Sequence, residues 1–341
     1  MSFYFIDGFD CYPNINDTSD GLQAFWSVYN QYGDMSIGTG RFGGQCITVN
    51  GYINGNNGQF FKGITSTNTY ALGFASRMNQ FIPGTTDYGF QFAIIGGSSI
   101  GIGMNANQQY YVYKDSTTLC TSSLFISVGS WHYIELEVNL NSSTGFVNLY
   151  VDGLLQASFT GDTGNTPCTS LGWGLYNAQD YLHTTNHSFD DVYVKNVATR
   201  EGERKVQTLV PASDYAVQWT PSSGSTNYNL VNSLPVPPTT ANNVSTITVG
   251  YQDLYNVTAL ANSPSIVSTV QIRVVGSKDA ASPKQIATVI QSGSTTTVGT
   301  TYAITNSPLY YTDIYDNDPN ISGAWTKDTV NALKIGQKVI A

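Results

Sequence analysis

Residues 130–153, SWHYIELEVNLNSSTGFVNLYVDG, alternate between apolar and polar side chains. Successive side chains of a strand point to opposite faces, so Ile134, Leu136, Val138 and Leu140 share one face and Tyr133, Glu135, Glu137 and Asn139 the other. After the polar run NSSTG, Val147, Leu149 and Val151 restore the apolar face, opposite Asn148, Tyr150 and Asp152. Asp152-Gly153 then supplies a tight turn into LLQASF, a pair of residue types that tolerates positive φ. The pattern predicts a three-stranded meander with its aliphatic face in a core and both glutamates in solvent.

Similar short runs recur along the chain, separated by Gly, Asn, Ser and Thr clusters. They are RFGGQCITV, TYALGFASRM, YGFQFAIIG, QQYYVYKD and SFDDVYVKNV (188–197), then VQTLVP, VSTITVGYQDLY, IVSTVQIRVVGS and KQIATVIQSG. No helical periodicity of useful length precedes residue 320. Near the C-terminus, Thr326 is placed to cap a short helix running to Leu333, with Gly336 to stop it and KVIA returning as a strand. The expected class is therefore all-β.

Two stretches interrupt the strand pattern. REGERK (200–205) gathers two of the four glutamates and three basic residues, as an exposed boundary would. LPVPPTT (234–240) reads as an extended connection. The predicted division is a domain at 1–199, a linker at 200–205 and a second domain at 206–341, consistent with a 341-residue chain too long for one small core.

Charge narrows the function classes. Charged residues are 11% of the chain and the net charge is −9, nearly all of it before residue 201. No basic stripe is available to neutralise phosphates, so nucleic acid is not an expected partner, and neither is an anionic membrane surface. No run of about 18 apolar residues predicts membrane insertion, and MSFYFIDGFD has no export-signal pattern. Cys11, Cys46, Cys120 and Cys168 are widely spaced with no CxxC pair, and are expected as free thiols.

SWHYIELEVN followed by FVNLYVDG resembles the central signature of laminin-G-like, concanavalin A-like jelly-roll domains, and SFDDVYV resembles the strand that closes them. FIDGFDCY paired with GRFGGQCI (40–47) is similar to the opening of such domains in tailed-bacteriophage structural proteins. QWTPSSGSTNYNLV and YYTDIYDNDPNISGAWTKDTVNALKIGQKV resemble a second domain that follows them in virion proteins. The resemblance implies an N-terminal jelly roll, a smaller β-rich second domain and a structural place in a phage particle, assembled in the host cytoplasm. It implies contacts with further copies of the chain, a trimer by analogy with phage appendages, and with other virion proteins. A host-glycan adhesin at the tail is the alternative, and a polysaccharide depolymerase a third.

Candidate sites divide along the same lines. Glu135 and Glu137 share a strand face at a spacing permissive for glycoside hydrolysis, but the third acid that sugar-cleaving relatives carry is replaced here by Leu140. His132 opens its strand with no acid placed beside it by sequence, which favours a bonded edge residue over a general base. Trp131, Tyr110, Tyr111 and Tyr113 are the candidate contact residues, since aromatics with a polar tip suit protein interfaces and sugars alike. Asp313, Asp316 and Asp318 in TDIYDNDPN offer oxygens suited to Ca²⁺, though the loop departs from the D-x-D-x-D-G pattern and Asx turns also explain it. No other cofactor is expected. Gly101 and Gly103 lack the third glycine and the following helix of a dinucleotide site.

Overall fold

A computed structural model of the chain describes residues 2–16, 21–29, 35–50, 58–80, 100–174, 186–224, 226–235, 242–261, 264, 266–279 and 284–341, and the backbone of 94–95. Among the described residues the regular structure is almost entirely β, with one short α-helix, Lys327–Asn331. The chain forms two compact units, Met1–Asp10 with Trp26–Val206 and Cys11–Phe25 with Gln207–Ala341. Among the described residues no helix is long and apolar enough to cross a membrane.

The first unit is a jelly-roll-like sandwich. Its larger sheet is antiparallel and runs Leu154–Gly161, Gly145–Val151, Trp131–Asn139, Thr69–Gln80, Asn186–Lys195, Gln45–Asn50, Met35–Thr39, with Phe3–Asp7 also paired to Asn186–Lys195. A second sheet is built from Ser27–Tyr29, Gln59–Thr67, Cys168–Gly174 and Ile94–Ile95, and a third from Thr117–Thr121, Tyr110–Lys114 and Ile100–Met104. Phe5, Phe74 and Phe189 of the large sheet meet Phe60 and Trp173 of the second sheet, and Trp26, mostly edge to face at 5.1–6.3 Å between centroids. This aromatic layer buries the inner faces of the two sheets against each other, the geometry that favours ring quadrupoles.

The meander sits in the large sheet as its alternation predicts. Leu136 lies opposite Leu149 on one side and Leu72 on the other, and Ile134, Val138, Val147 and Val151 are fully buried around them. Asp152 and Gly153 take φ of 51° and 80°, the positive values their tight turn needs. The expected solvation of the other face is incorrect: Tyr133 and Glu135 are also fully buried. Alternation reports that two faces differ, not that the polar one is wet, and here the segment following Lys195 covers it. The predicted strand YGFQFAIIG lies outside the described residues apart from Ile94–Ile95.

In the second unit a five-stranded sheet runs Pro211–Ala216, Gln252–Val257, Lys334–Val339, Gln285–Ser292, Thr295–Ala303, beside a ribbon of Val270–Gly276 and Leu309–Tyr315. Ile272, Ile290, Trp325, Val330 and Leu333 form its core. Cys11–Phe25, expected in the first domain, belongs here because the Arg273 guanidinium lies 4.2 Å from the Phe25 ring and donates to the Tyr12 hydroxyl at 2.9 Å. VQTLVP is not a strand; pairing begins only at Pro211. Thr326 caps the helix, its hydroxyl accepting from Thr329 N at 3.1 Å, but Gly336 does not stop it. Gly336 lies mid-strand, where a Cβ would fall 1.8 Å from the Asp253 carbonyl oxygen, so glycine serves close strand approach. The Thr-rich edge strand Thr295–Ala303 carries no apolar alternation that would reveal it.

Candidate functional site

The outer face of the large sheet gathers the residues that carry charge. Glu135 Oε1 accepts the Tyr193 hydroxyl at 2.6 Å, and Oε2 accepts Arg200 Nη1 at 2.7 Å. Glu137 Oε1 accepts the Arg200 main-chain N–H at 3.0 Å, while Oε2 accepts from Asn148 at 3.1 Å and the Tyr150 hydroxyl at 3.3 Å. The guanidinium of Arg200 also lies 4.2 Å from the Tyr150 ring centre and donates to the Gly153 carbonyl at 3.2 Å. All four carboxylate oxygens thus accept hydrogen bonds from within the first unit.

Gly73 makes this possible. It lies opposite Glu135 in register, and a Cβ there would meet the Tyr193 ring at 2.2 Å. Burial and the neighbouring Glu135 push the Tyr193 hydroxyl far above its ordinary pKa, so it remains a donor. Residues 196–206 form a strap across this face: Lys195 pairs with Glu201, the Tyr193 hydroxyl accepts Glu201 N at 2.9 Å, and Arg41 pairs with Glu203. REGERK, read from sequence as an exposed linker, is bound within the first unit by these contacts.

A β-bulge lies beneath the end of the strap. Asp190 pairs with Ala75 and Tyr193 with Gly73, so Asp191 and Val192 together oppose one residue, and Asp191 takes φ of 51°. Both aspartates are buried. Asp190 Oδ2 accepts Arg41 N at 2.8 Å, Asp191 Oδ1 accepts Val206 N at 2.7 Å, and Asp10 Oδ1 accepts Gln45 N at 2.9 Å. The segments around FIDGFD, GRFGGQ and SFDDV therefore converge in space. Desolvation raises the pKa of both aspartates, with Asp191's charge adding to the rise at Asp190.

The aromatic candidates separate by face. Tyr110 is fully buried, which removes it as a surface contact. Tyr111 is half-buried and Tyr113 is 6% exposed; their rings lie 5.8 Å apart and rest over Gly103 and Gly101 of the adjacent strand. The glycines passed over as a nucleotide motif thus make room for tyrosine rings. Half-buried Trp131 is covered by the Arg77 guanidinium at 4.8 Å. His132 Nδ1 lies 2.8 Å from Asp152 Oδ2, and Asp152 Oδ1 accepts Tyr133 N, which makes this pair a clasp at the strand edge.

Asp313 is not part of an acidic cluster. Its carboxylate accepts from Thr288 Oγ1 at 2.5 Å and Thr300 N at 3.1 Å, tying the ribbon to the five-stranded sheet. Asp318 is fully buried in the next loop, its Oδ1 accepting Asn320 N at 2.9 Å. Among the described residues no three His, Cys, Asp or Glu side chains gather as a metal group. Sequence reasoning missed Arg200, Tyr193 and also Asp253, which is fully buried. Asp253 accepts Gln218 N, Trp219 N, Asn227 Nδ2 and the Tyr255 hydroxyl, organising the QWTPSSGSTNYNLV segment. The only advance signal was that acids recur beside these segments.

No family model matches the chain, and no curated protein sequence matches it. Similar solved structures include a cellulose-induced protein, at 17% identity over 53% of this chain and 95% of that one, with a TM-score of 0.41. A sialidase is similar at 10% identity over 57% of this chain but only 18% of its own length, with a TM-score of 0.43. An alginate lyase of polysaccharide lyase family 7 is similar at 10% identity over 49% of this chain and 84% of that one, with a TM-score of 0.39. None of these likenesses transfers a catalytic or sugar-binding residue to this chain.

Proposed function

We propose that this chain is a non-catalytic structural protein of a tailed-phage particle, held in place through the surfaces of its β units. The observation that carries the reading is an exposed apolar set on the second unit: Tyr215 at 51%, Val217 at 39%, Ile247 at 91%, Val249 at 60% and Tyr251 at 39% exposure. Segment 217–219 is bonded to 251–253 through Gln218 and Trp219, which holds the stretches carrying Val217 and Tyr251 side by side on ordered backbone. Large apolar side chains left exposed on one unit suit an interaction surface, and tyrosine is enriched there. The resemblance of the opening and closing motifs supports the virion setting, and the engagement of Glu135 and Glu137 supports a role without hydrolysis. Partners in this reading are further copies of the chain, forming a trimer by analogy, and neighbouring particle proteins.

Cryo-microscopy or immunogold labelling of purified particles tests the reading. The chain is expected at a defined particle site, and Ile247→Asp is expected to lower incorporation while leaving the unfolding curve of the free protein unchanged. Particles lacking the chain, or incorporating the variant at wild-type copy number, would overturn it.

A second reading, host-glycan binding by the first unit, draws on half-buried Tyr111, whose ring is seated on Gly103, since an aromatic ring suits a sugar face. Binding on a glycan array that is lost in Tyr111→Ala would favour it over assembly contacts. A depolymerase would need Glu135 and Glu137 to leave their present partners, and hydrolysis of host polysaccharide abolished by Glu137→Gln would be its sign.

A further inference from the structure

We propose that the Asp316–Gly323 loop of the second unit binds a calcium ion. The loop leaves the Leu309–Tyr315 strand and folds back on itself, Asp318 N donating to Gly323 O and Ser322 N to Asp318 O, both at 2.8 Å. Asp318 is fully buried, and the hydrogen bond from Asn320 N to its Oδ1 turns the carboxyl toward its own loop. Its second oxygen, Oδ2, is buried without a hydrogen-bond donor. No Lys or Arg pairs with Asp318 among the described residues. A carboxylate oxygen withdrawn from water and given neither donor nor cation is strongly disfavoured, so a ligand that supplies positive charge is the natural complement.

The loop's composition selects the ion. Asp316, Asp318 and Asn320 place oxygen-bearing side chains at alternating positions, the spacing at which calcium loops present their first ligands. Asn320 Oδ1 accepts the Thr295 hydroxyl at 3.1 Å and retains a second lone pair. Two carboxylates, an amide oxygen, main-chain carbonyls and water make a hard, all-oxygen set. Ca²⁺ accepts six to eight such ligands in irregular geometry, whereas Mg²⁺ demands a near-ideal octahedron and gives up water reluctantly. Asp313 takes no part, being committed to Thr288 and Thr300.

Terbium luminescence of the full chain tests the site, because the Trp325 Nε1–H donates to the Tyr315 carbonyl at 2.7 Å, one residue before the loop, and serves as the antenna. Excitation of tryptophan is expected to sensitise terbium emission that calcium displaces, with a calcium dissociation constant of roughly 10⁻⁵–10⁻³ M. Asp318→Asn is expected to abolish the signal. Asp316→Asn, at a half-buried position, is expected to leave the calcium-free chain folded and to weaken binding about tenfold or more. Absence of calcium-displaceable emission in the wild type, or unchanged affinity in a folded Asp316→Asn protein, would sink the proposal. Displacement by magnesium as effective as by calcium would sink it equally.

Discussion

Arg200→Ala separates a wet, idle acid pair from one built into the fold. The substitution removes the partner of Glu135 Oε2, the donor to Gly153 O and the cation over Tyr150. A charge-assisted hydrogen bond to a buried group contributes roughly 1.5–3 kcal/mol, a neutral one about 1 and a cation–π contact about 0.5–1. The Arg200 side chain is 27% exposed while that of Glu135 is 0%, so solvent screens part of the sum and water reaches the vacated site. The expected loss is about 2–4 kcal/mol, below the full penalty for stranding one partner of a dry ion pair. Equilibrium urea unfolding reports it through Trp26 and Trp173, both almost fully buried in the first unit. Glu135→Gln keeps an acceptor for Arg200 and is expected to cost less. A change under about 0.5 kcal/mol in Arg200→Ala, the usual size for a solvated surface position, would refute the reasoning.

Three further outcomes follow from the geometry. The folded-state carboxyls of Asp190 and Asp191 are raised from 3.8 to about 8 and about 6, so the folded first unit holds protons that the unfolded chain releases. Its stability is therefore expected to fall as pH rises from about 4 to about 8, and melting temperatures that rise across that window, or a slope unchanged in Asp190→Asn, would contradict the assignment. Gly336→Ala should destabilise the second unit by about 3 kcal/mol or more in denaturant unfolding, because its Cβ has only 1.8 Å to the Asp253 carbonyl and backbone cannot move as a side-chain tip can. Thr326→Ala, which removes a cap at the start of Lys327–Asn331, should cost about 0.5–2 kcal/mol in the same assay, and Thr326→Ser should recover most of it.

Local periodicity was enough to identify an all-β chain, the meander of residues 130–153 with its Asp152-Gly153 turn, and the Thr326 cap. Each depends on side chains within a few positions of one another, where strand and helix periods act directly. The fate of the polar faces was not legible in this way. Glu135 and Glu137 looked solvated because nothing within their own strand says that Arg200, over sixty residues later, returns across them. Asp190 and Asp191 read as ordinary strand residues until a bulge turned both to meet Arg41 and Val206. Gly336 looked like a helix stop because close approach of a neighbouring backbone leaves no mark on its sequence neighbours. The sequence by itself determined which residues alternate and where turns fall. Only tertiary structure decided which polar groups leave water, since desolvation and pairing are set by the segment that packs on top.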